Sequence, residues 1–193
     1  MAKIESFEKY CLEYEEWFEK NSDLYEEELK TLKSLVKDAK NGVEIGIGTG
    51  RFAIPVGIEI GVEPSSEMAK ISVSKGLKVI SGIAENLPFE DAKFDFATMI
   101  TTVCFVDDIL KSFKEVYRIL KQDGFFVVGY VDKNSKLGIK YQQKSKKSKF
   151  YTNAMFYSSN EIIQYLKKAG FCNFDKKYVK GTDSSFIFLK ASK

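Results

Sequence analysis

Apolar residues recur along this chain with two periods. From residue 3 to 38, Phe7, Tyr10, Cys11, Tyr14, Trp17 and Phe18 return at helical spacing among Glu and Lys. Asn21, Ser22 and Asp23 interrupt the run, with Asp23 as a candidate cap. Leu24, Leu29, Leu32, Leu35 and Val36 then form the stripe of a second helix. After Asn41-Gly42 the pattern changes to short apolar runs separated by helical segments. Strands are expected at Val43 to Ile47, Ile58 to Val62, Leu77 to Ile80, Phe94 to Ile100 and Phe125 to Val131.

Between the strands, Gly48 to Pro55 reads as a glycine-rich turn entering a short helix, and Ser65 to Lys75 as a helix capped by Ser65 or Ser66. Asp107 or Asp108 caps a helix running to Leu120. Ser158 or Ser159 caps another that ends near Ala169-Gly170. Phe171 to Val179 and Ser184 to Leu189 would close the sheet as a hairpin-like, antiparallel edge. Alternation of strand and helix predicts βαβ units. Apolar runs such as Phe125-Phe126-Val127-Val128 predict strands covered on both faces.

The expected fold is therefore α/β: a Rossmann-like three-layer sandwich with a mainly parallel seven-stranded sheet and a helical N-terminal cap. One domain spans 1–193. Within it lie a cap (1–40), a core (42–131), a lysine- and aromatic-rich insert (132–157) and a closing helix with two strands (158–193).

Composition narrows the chemistry. The chain has 193 residues and no histidine. A Ser-His-Asp or Cys-His pair is thereby excluded, because its base is missing. The three cysteines, Cys11, Cys104 and Cys172, form no CxxC pair, so no metal site is expected. No apolar leader or spanning run is seen, and a cytoplasmic protein is the expectation. The formal net charge is +3, but it is uneven. The first helices are acid-rich, whereas Lys133 to Lys149 holds seven lysines and no acid. Arg51 and Arg118 are the only arginines, so the bidentate forks that read phosphates are scarce. The lysine stretch reads first as a solvated, mobile loop, and second as an attractor for an anionic substrate.

Candidate chemistry gathers at Val43-Glu44-Ile45-Gly46-Ile47-Gly48-Thr49-Gly50-Arg51-Phe52. A strand feeds a turn in which Gly46, Gly48 and Gly50 alternate, letting a ligand approach the main chain. A helix after the turn would add its free N–H groups. In a dinucleotide fingerprint counted from Gly46, the third glycine would stand where Arg51 is, and no Walker pattern exists. Glu44 is an acid inside a buried strand, suited to holding the turn or facing a cationic ligand group. Glu63 ends the second strand, where a carboxylate can accept ribose hydroxyls. Pro64 turns the chain into the next helix, and Met68 could lie on a base or pack that helix. Ala84 and Glu85 sit in a polar loop able to meet an adenine edge.

In order and spacing, VEIGIGTGRF, GVEPSSEM, GIAENLPFEDAKFD, FATMITTVCFVDD and KSFKEVYRILKQDGFFVVG resemble the class I S-adenosylmethionine-dependent methyltransferases. The likeness is to the small-molecule branch typified by ubiquinone and menaquinone biosynthesis, and it covers Gly42 to Val131. The resemblance implies S-adenosylmethionine as cofactor. It places Glu44, Gly46, Gly48, Thr49 and Gly50 by the methionine moiety, Glu63 and Pro64 at the ribose, and Met68, Ala84 and Glu85 at adenine. Ile100, Thr101 and Thr102 would lie beside the methionine moiety and the reacting methyl. Gln122-Asp123 replaces the family's usual approach to Gly124, and the short Arg51 to Gly57 connection replaces its long helix.

For the acceptor, Tyr14, Trp17, Phe105, Tyr130 and Tyr141 are the candidates, with Tyr130 the strongest single one. No general base is assigned. A small-molecule acceptor is expected, nucleic acid is not, and the oligomeric state is unspecified. Three alternatives stay open: an NAD-dependent oxidoreductase, a catalytically silent scaffold, and a protein or methyltransferase that binds nucleic acid through the lysine-rich insert.

Overall fold

The computed structural model describes residues 4–193. Lys3, where the first helix was expected to begin, lies outside the described residues. The N-terminal segment folds as three helices, α1 (Glu5–Lys9), α2 (Cys11–Lys20) and α3 (Ser22–Val36). Asn21 stands at the start of α3 without a side-chain cap, and Asp23 falls inside its first turn. Asp23 is therefore not the cap. There it serves the helix by placing negative charge near the free N–H groups.

The sheet comprises β1 (Gly42–Ile45), β2 (Ile60–Val62), β3 (Lys78–Ile80), β4 (Phe94–Ile100), β5 (Leu120–Val131), β6 (Cys172–Tyr178) and β7 (Phe186–Ser192). Their spatial order is β3-β2-β1-β4-β5-β7-β6. The pairings among β1 to β5 are parallel, while β7 pairs antiparallel with both β5 and β6. The closing strands thus form the expected antiparallel, hairpin-like edge, joined to the parallel part through β7. β7, apolar and buried, enters between β5 and β6, and the more exposed β6 carries Asp175, Lys176 and Lys177 at the border. Charge on an edge strand discourages pairing with another chain.

The remaining helices are α4 (Ser66–Ser74), α5 (Ile109–Ile119), α6 (Lys136–Lys144) and α7 (Ser159–Ala169). Their starts follow local chemistry. The Ser65, Asp108 and Ser135 side chains accept the N–H groups of Met68, Lys111 and Gly138. Ser158 and Glu161 form a reciprocal capping box. α5 and α7 cover one face of the sheet through Phe113, Val116, Ile119, Ile162 and Leu166, all fully buried. The other face packs against Leu32, Leu35 and Val36 of α3, with Phe18 and Phe52.

The segment after the glycine turn and the lysine-rich stretch both take forms that the sequence only partly indicated. No α-helix follows the glycine turn; only a 3-10 turn, Ile54–Val56, does, with Pro55 in it. The vacated face is taken by α2 and α3. Phe52 meets Phe18 and Tyr25 edge-on, and the Tyr25 hydroxyl donates to the Arg51 carbonyl at 2.5 Å. The lysine-rich stretch is not an irregular loop either. It forms α6 and a 3-10 turn at Ser145–Lys147, and its lysines face outward while its rings turn in.

Candidate functional site

A cavity of about 270 Å³ opens at the C-terminal ends of β1, β2 and β4. Its floor is the glycine turn. Gly46 and Ile47 donate to the Val62 carbonyl at 2.8 and 3.0 Å, which draws the turn onto β2. At Gly46 φ is +72°, and a Cβ would stand 2.4 Å from Thr102 Oγ1, so no side chain fits. Gly48 differs: φ is +55°, but the nearest atoms to a Cβ would be Met68 Cε at 3.5 Å and the Tyr14 hydroxyl at 3.9 Å. Gly48 therefore faces the cavity, whereas Gly46 seals the turn against the segment after β4.

Glu63 holds this floor from the end of β2. Its Oε2 accepts the Gly48 N–H at 2.8 Å and its Oε1 the Ser65 N–H at 2.9 Å. Burial pushes its carboxyl up to about 7, against the pull of those two N–H groups. Glu44 lies behind the turn. Burial and the Glu63 charge hold its carboxyl well above the ordinary range, with the Ala53 N–H acting the other way. Glu44 Oε2 is buried without a partner among the described residues.

The other walls come from distant parts of the chain. Pro64 and Met68 form one side; Ala84 and Glu85 a second; Ile100 and Thr101 a third. Thr101 has φ +53°, a left-handed backbone that a β-branched residue adopts only when its surroundings force it. Its N–H bonds the Gly129 carbonyl at 2.8 Å, fixing the turn at the end of β4. Glu85 lines the cavity, but its Oε1 also accepts the N–H groups of Asp107 and Asp108 at 2.7 and 3.1 Å. It thereby anchors the start of α5.

Over the top lie α1 and α2 from one side and the insert from the other. Phe7 meets Phe105 and Phe150, at 4.9 and 5.7 Å between ring centroids. Tyr151 stacks on Tyr141 at 4.9 Å. Lys149 pairs with Glu13 at 3.2 Å across the seam. Tyr14, Trp17, Phe105 and Tyr141 all reach the cavity, Trp17 from a position 38% exposed.

Four expected residues lie elsewhere. Tyr130 does not line this cavity. It is buried against α7, where its hydroxyl bonds Ser159 Oγ at 3.0 Å, and it borders only a small separate void. The alternation of β5 turns Tyr130 to the α7 face and its neighbour Val131 to the cavity. Glu44 sits behind the turn rather than in the wall. The Thr49 hydroxyl is bound by Glu15, and the space beside Gly50 is filled by Leu77 and Ser72.

Several lining residues escape the sequence reading, among them Glu28, Thr182 and Phe186. Glu28 does carry a signal. Leu24, Glu28 and Leu32 follow one another at steps of four, so an acid interrupts the buried stripe of α3. Thr182 and Phe186 come from the turn and strand that insert next to β5, and nothing local to them marks that placement.

Residues 43–128 match the profile of a methyltransferase domain family. A Thermotoga maritima crystal structure, described as a SAM-dependent methyltransferase and possible histamine N-methyltransferase, is 43% identical to this chain. It superposes at a TM-score of 0.93, covering 98% of this chain and 99% of its own. The chain belongs to the class I S-adenosylmethionine-dependent methyltransferases. An uncharacterised protein of Methanocaldococcus jannaschii is 43% identical over 93% of this chain and 85% of its own length. An uncharacterised methyltransferase of Bacillus subtilis is 34% identical over 58% of this chain and 52% of its own. This methyltransferase uses S-adenosylmethionine, and the oxidoreductase alternative falls with that. Among the described residues, no helix is long and apolar enough to cross a membrane.

Proposed function

We propose that this methyltransferase transfers the methyl group to N, O or C of a small-molecule acceptor held beneath the N-terminal helices and the insert. The observation that carries this reading is one continuous cavity. Its lining takes in Gly46, Gly48 and Glu63 together with Tyr14, Trp17 and Tyr141. Phe7 is in ring contact with both Phe105 and Phe150, and Lys149 with Glu13, so a large acceptor would have to part both covers to reach the floor.

The donor set suits the cofactor. Two buried carboxylates, Glu44 and Glu63, repel each other, and Glu44 Oε2 has no partner among the described residues. A ligand bringing positive charge and hydroxyl donors relieves both conditions. In this reading Glu63, with Pro64, receives the ribose hydroxyls, and Gly46 and Gly48 admit the methionine moiety close to the main chain. Met68, Ala84 and Glu85 bound the adenine, while Ile100 and Thr101 flank the reacting end. Glu44, Thr49 and Gly50 act behind the wall, shaping the turn.

Bound S-adenosylmethionine supplies a methyl group already activated by its sulfonium. Glu63, Pro64 and the main chain at Gly46 and Gly48 would hold the cofactor with that methyl group offered to the acceptor's lone pair. The chain's part is to align the acceptor and exclude water, for which fixed geometry and an apolar cover suffice. Phe105, Tyr14, Trp17 and Tyr141 would form that cover. Tyr14 stays protonated, because burial and the charges of Glu44 and Glu63 push its phenol up.

Titration calorimetry with S-adenosylmethionine and S-adenosylhomocysteine, with NADH as control, tests the cofactor end. Transfer of a labelled methyl to a panel of amines, phenols and carbon acids tests the acceptor end. Binding of the sulfur ligands with transfer to a small molecule supports the reading. Transfer confined to protein or nucleic acid overturns it.

A further inference from the structure

One group in the cavity is left over from the methyl-donor end. Glu28, on α3, is 3% exposed and lies in the cavity wall with Leu24, Tyr14, Trp17 and Tyr141. Its condition differs from that of every other buried acid here. Glu63 and Glu85 each receive two main-chain N–H groups, and Glu44 receives one. Glu28 has no hydrogen bond and no ion pair among the described residues, and burial alone acts on its carboxyl.

Neither the lysines of α3 nor the seven of the insert act on it. Its titratable neighbours are phenols. Tyr14, Tyr25, Tyr141 and Tyr151 all have their ionisation opposed by the Glu28 charge. Burial makes the charged form of an unpaired carboxyl costly, and a cation brought beside it offsets that cost. Aromatic faces around it add attraction for a cation and none for an anion.

We propose that Glu28 is the anchor for an acceptor that carries a protonated amine, with the rings of Tyr14, Trp17 and Tyr141 as the walls of that subsite. The inference rests on the methyl-transfer reading above and narrows its acceptor to small amines. The ammonium group supplies to Glu28 the hydrogen bonds that the fold withholds, and it selects against acceptors of equal shape without charge. Glu28 binds and orients in this scheme; it takes no proton from the reacting atom.

Calorimetry on the protein saturated with S-adenosylhomocysteine tests it, using 2-phenylethylamine and histamine against uncharged 2-phenylethanol. The wild-type protein should bind at least one amine about tenfold or more tighter than the alcohol. Glu28→Gln should abolish that preference, and Glu28→Asp should restore part of it. Equal binding of amine and alcohol by the wild type, absence of heat with both amines, or a preference that survives in Glu28→Gln would each overturn the proposal. The wild-type comparison stands even if a variant fails to fold. Because saturation with S-adenosylhomocysteine is measured first on the same sample, failure of the cofactor site is seen separately.

Discussion

Glu15 of α2 grips Arg51 of the glycine turn at two points: Arg51 Nε reaches Oε1 at 3.0 Å, and Nη2 reaches Oε2 at 2.8 Å. The Thr49 hydroxyl donates to the same carboxylate, and Lys75, just past α4, reaches it at 2.9 Å. The residue that spoils the dinucleotide fingerprint is therefore the one that fastens the helical cap to the cofactor floor. Burial pushes the Glu15 carboxyl up, but the bonds from Arg51, Thr49 and Lys75 more than reverse this and leave it below the ordinary value.

Removing that grip should loosen the cap without unfolding the sheet. Arg51→Ala is expected to cost about 1–2 kcal/mol of stability, in the range of charge-assisted bonds at a partly buried site. Amide hydrogen exchange should quicken in α1 and α2, and S-adenosylhomocysteine should dissociate faster. Unchanged exchange in both helices would show that the rings of Phe18, Tyr25 and Phe52 hold the cap alone.

Glu63→Gln should weaken cofactor binding by roughly tenfold or more, since hydrogen bonds to a charged group contribute about 1.5–3 kcal/mol. Calorimetry with S-adenosylhomocysteine on the folded variant measures this. Affinity equal to wild type would remove Glu63 from the ribose role and leave it only the task of holding Gly48 and Ser65.

The glycines of the turn should separate by function. Gly46→Ala meets Thr102 and forces a left-handed backbone on a side chain, so it should lower the melting temperature markedly. Gly48→Ala has room at 3.5 Å from Met68 but adds a methyl to the cavity floor. It should cost less stability than Gly46→Ala and proportionally more cofactor affinity. The reverse order would place Gly48 away from the ligand.

Stability should depend on pH through Glu44, whose carboxyl burial holds well above the ordinary range, and through Glu28 and Glu63. Burial raises the carboxyls of Glu28 and Glu63 from 4.5 to about 8 and about 7. A group whose folded value is raised contributes stability that is fully present below its unfolded value and is lost as pH rises through the folded one. The ligand-free protein should therefore lose melting temperature between about pH 5 and 8.5. Glu28→Gln should flatten the profile and stabilise the protein at pH 8 by on the order of 2–4 kcal/mol. A variant with the wild-type slope would show that Glu28 finds a partner in solution.

Much of the fold was legible because its signals are local. β4 occupies the expected span Phe94–Ile100 and α7 begins at the expected Ser158 cap, since a buried run and a capping serine act on their immediate neighbours. The glycine turn with Glu63 was equally readable, because Gly46 and Gly48 need their conformations wherever the rest of the chain goes. Glu28 was half-legible: the break in the α3 stripe was present, but an acid among three consecutive glutamates looks like solvated surface.

The sequence by itself determined the alternation of strands and helices, the glycine-rich floor with its two carboxylates, and the absence of any histidine-based catalyst. Only the tertiary structure decided which faces those residues would share. It laid α2 and α3 where a helix after the turn would have packed, slid β7 between β5 and β6, and turned Tyr130 toward α7 while bringing Glu28 to the cavity. The physical reason is that periodicity fixes which side of an element is apolar, whereas the identity of the surface that buries it depends on segments far away in the chain.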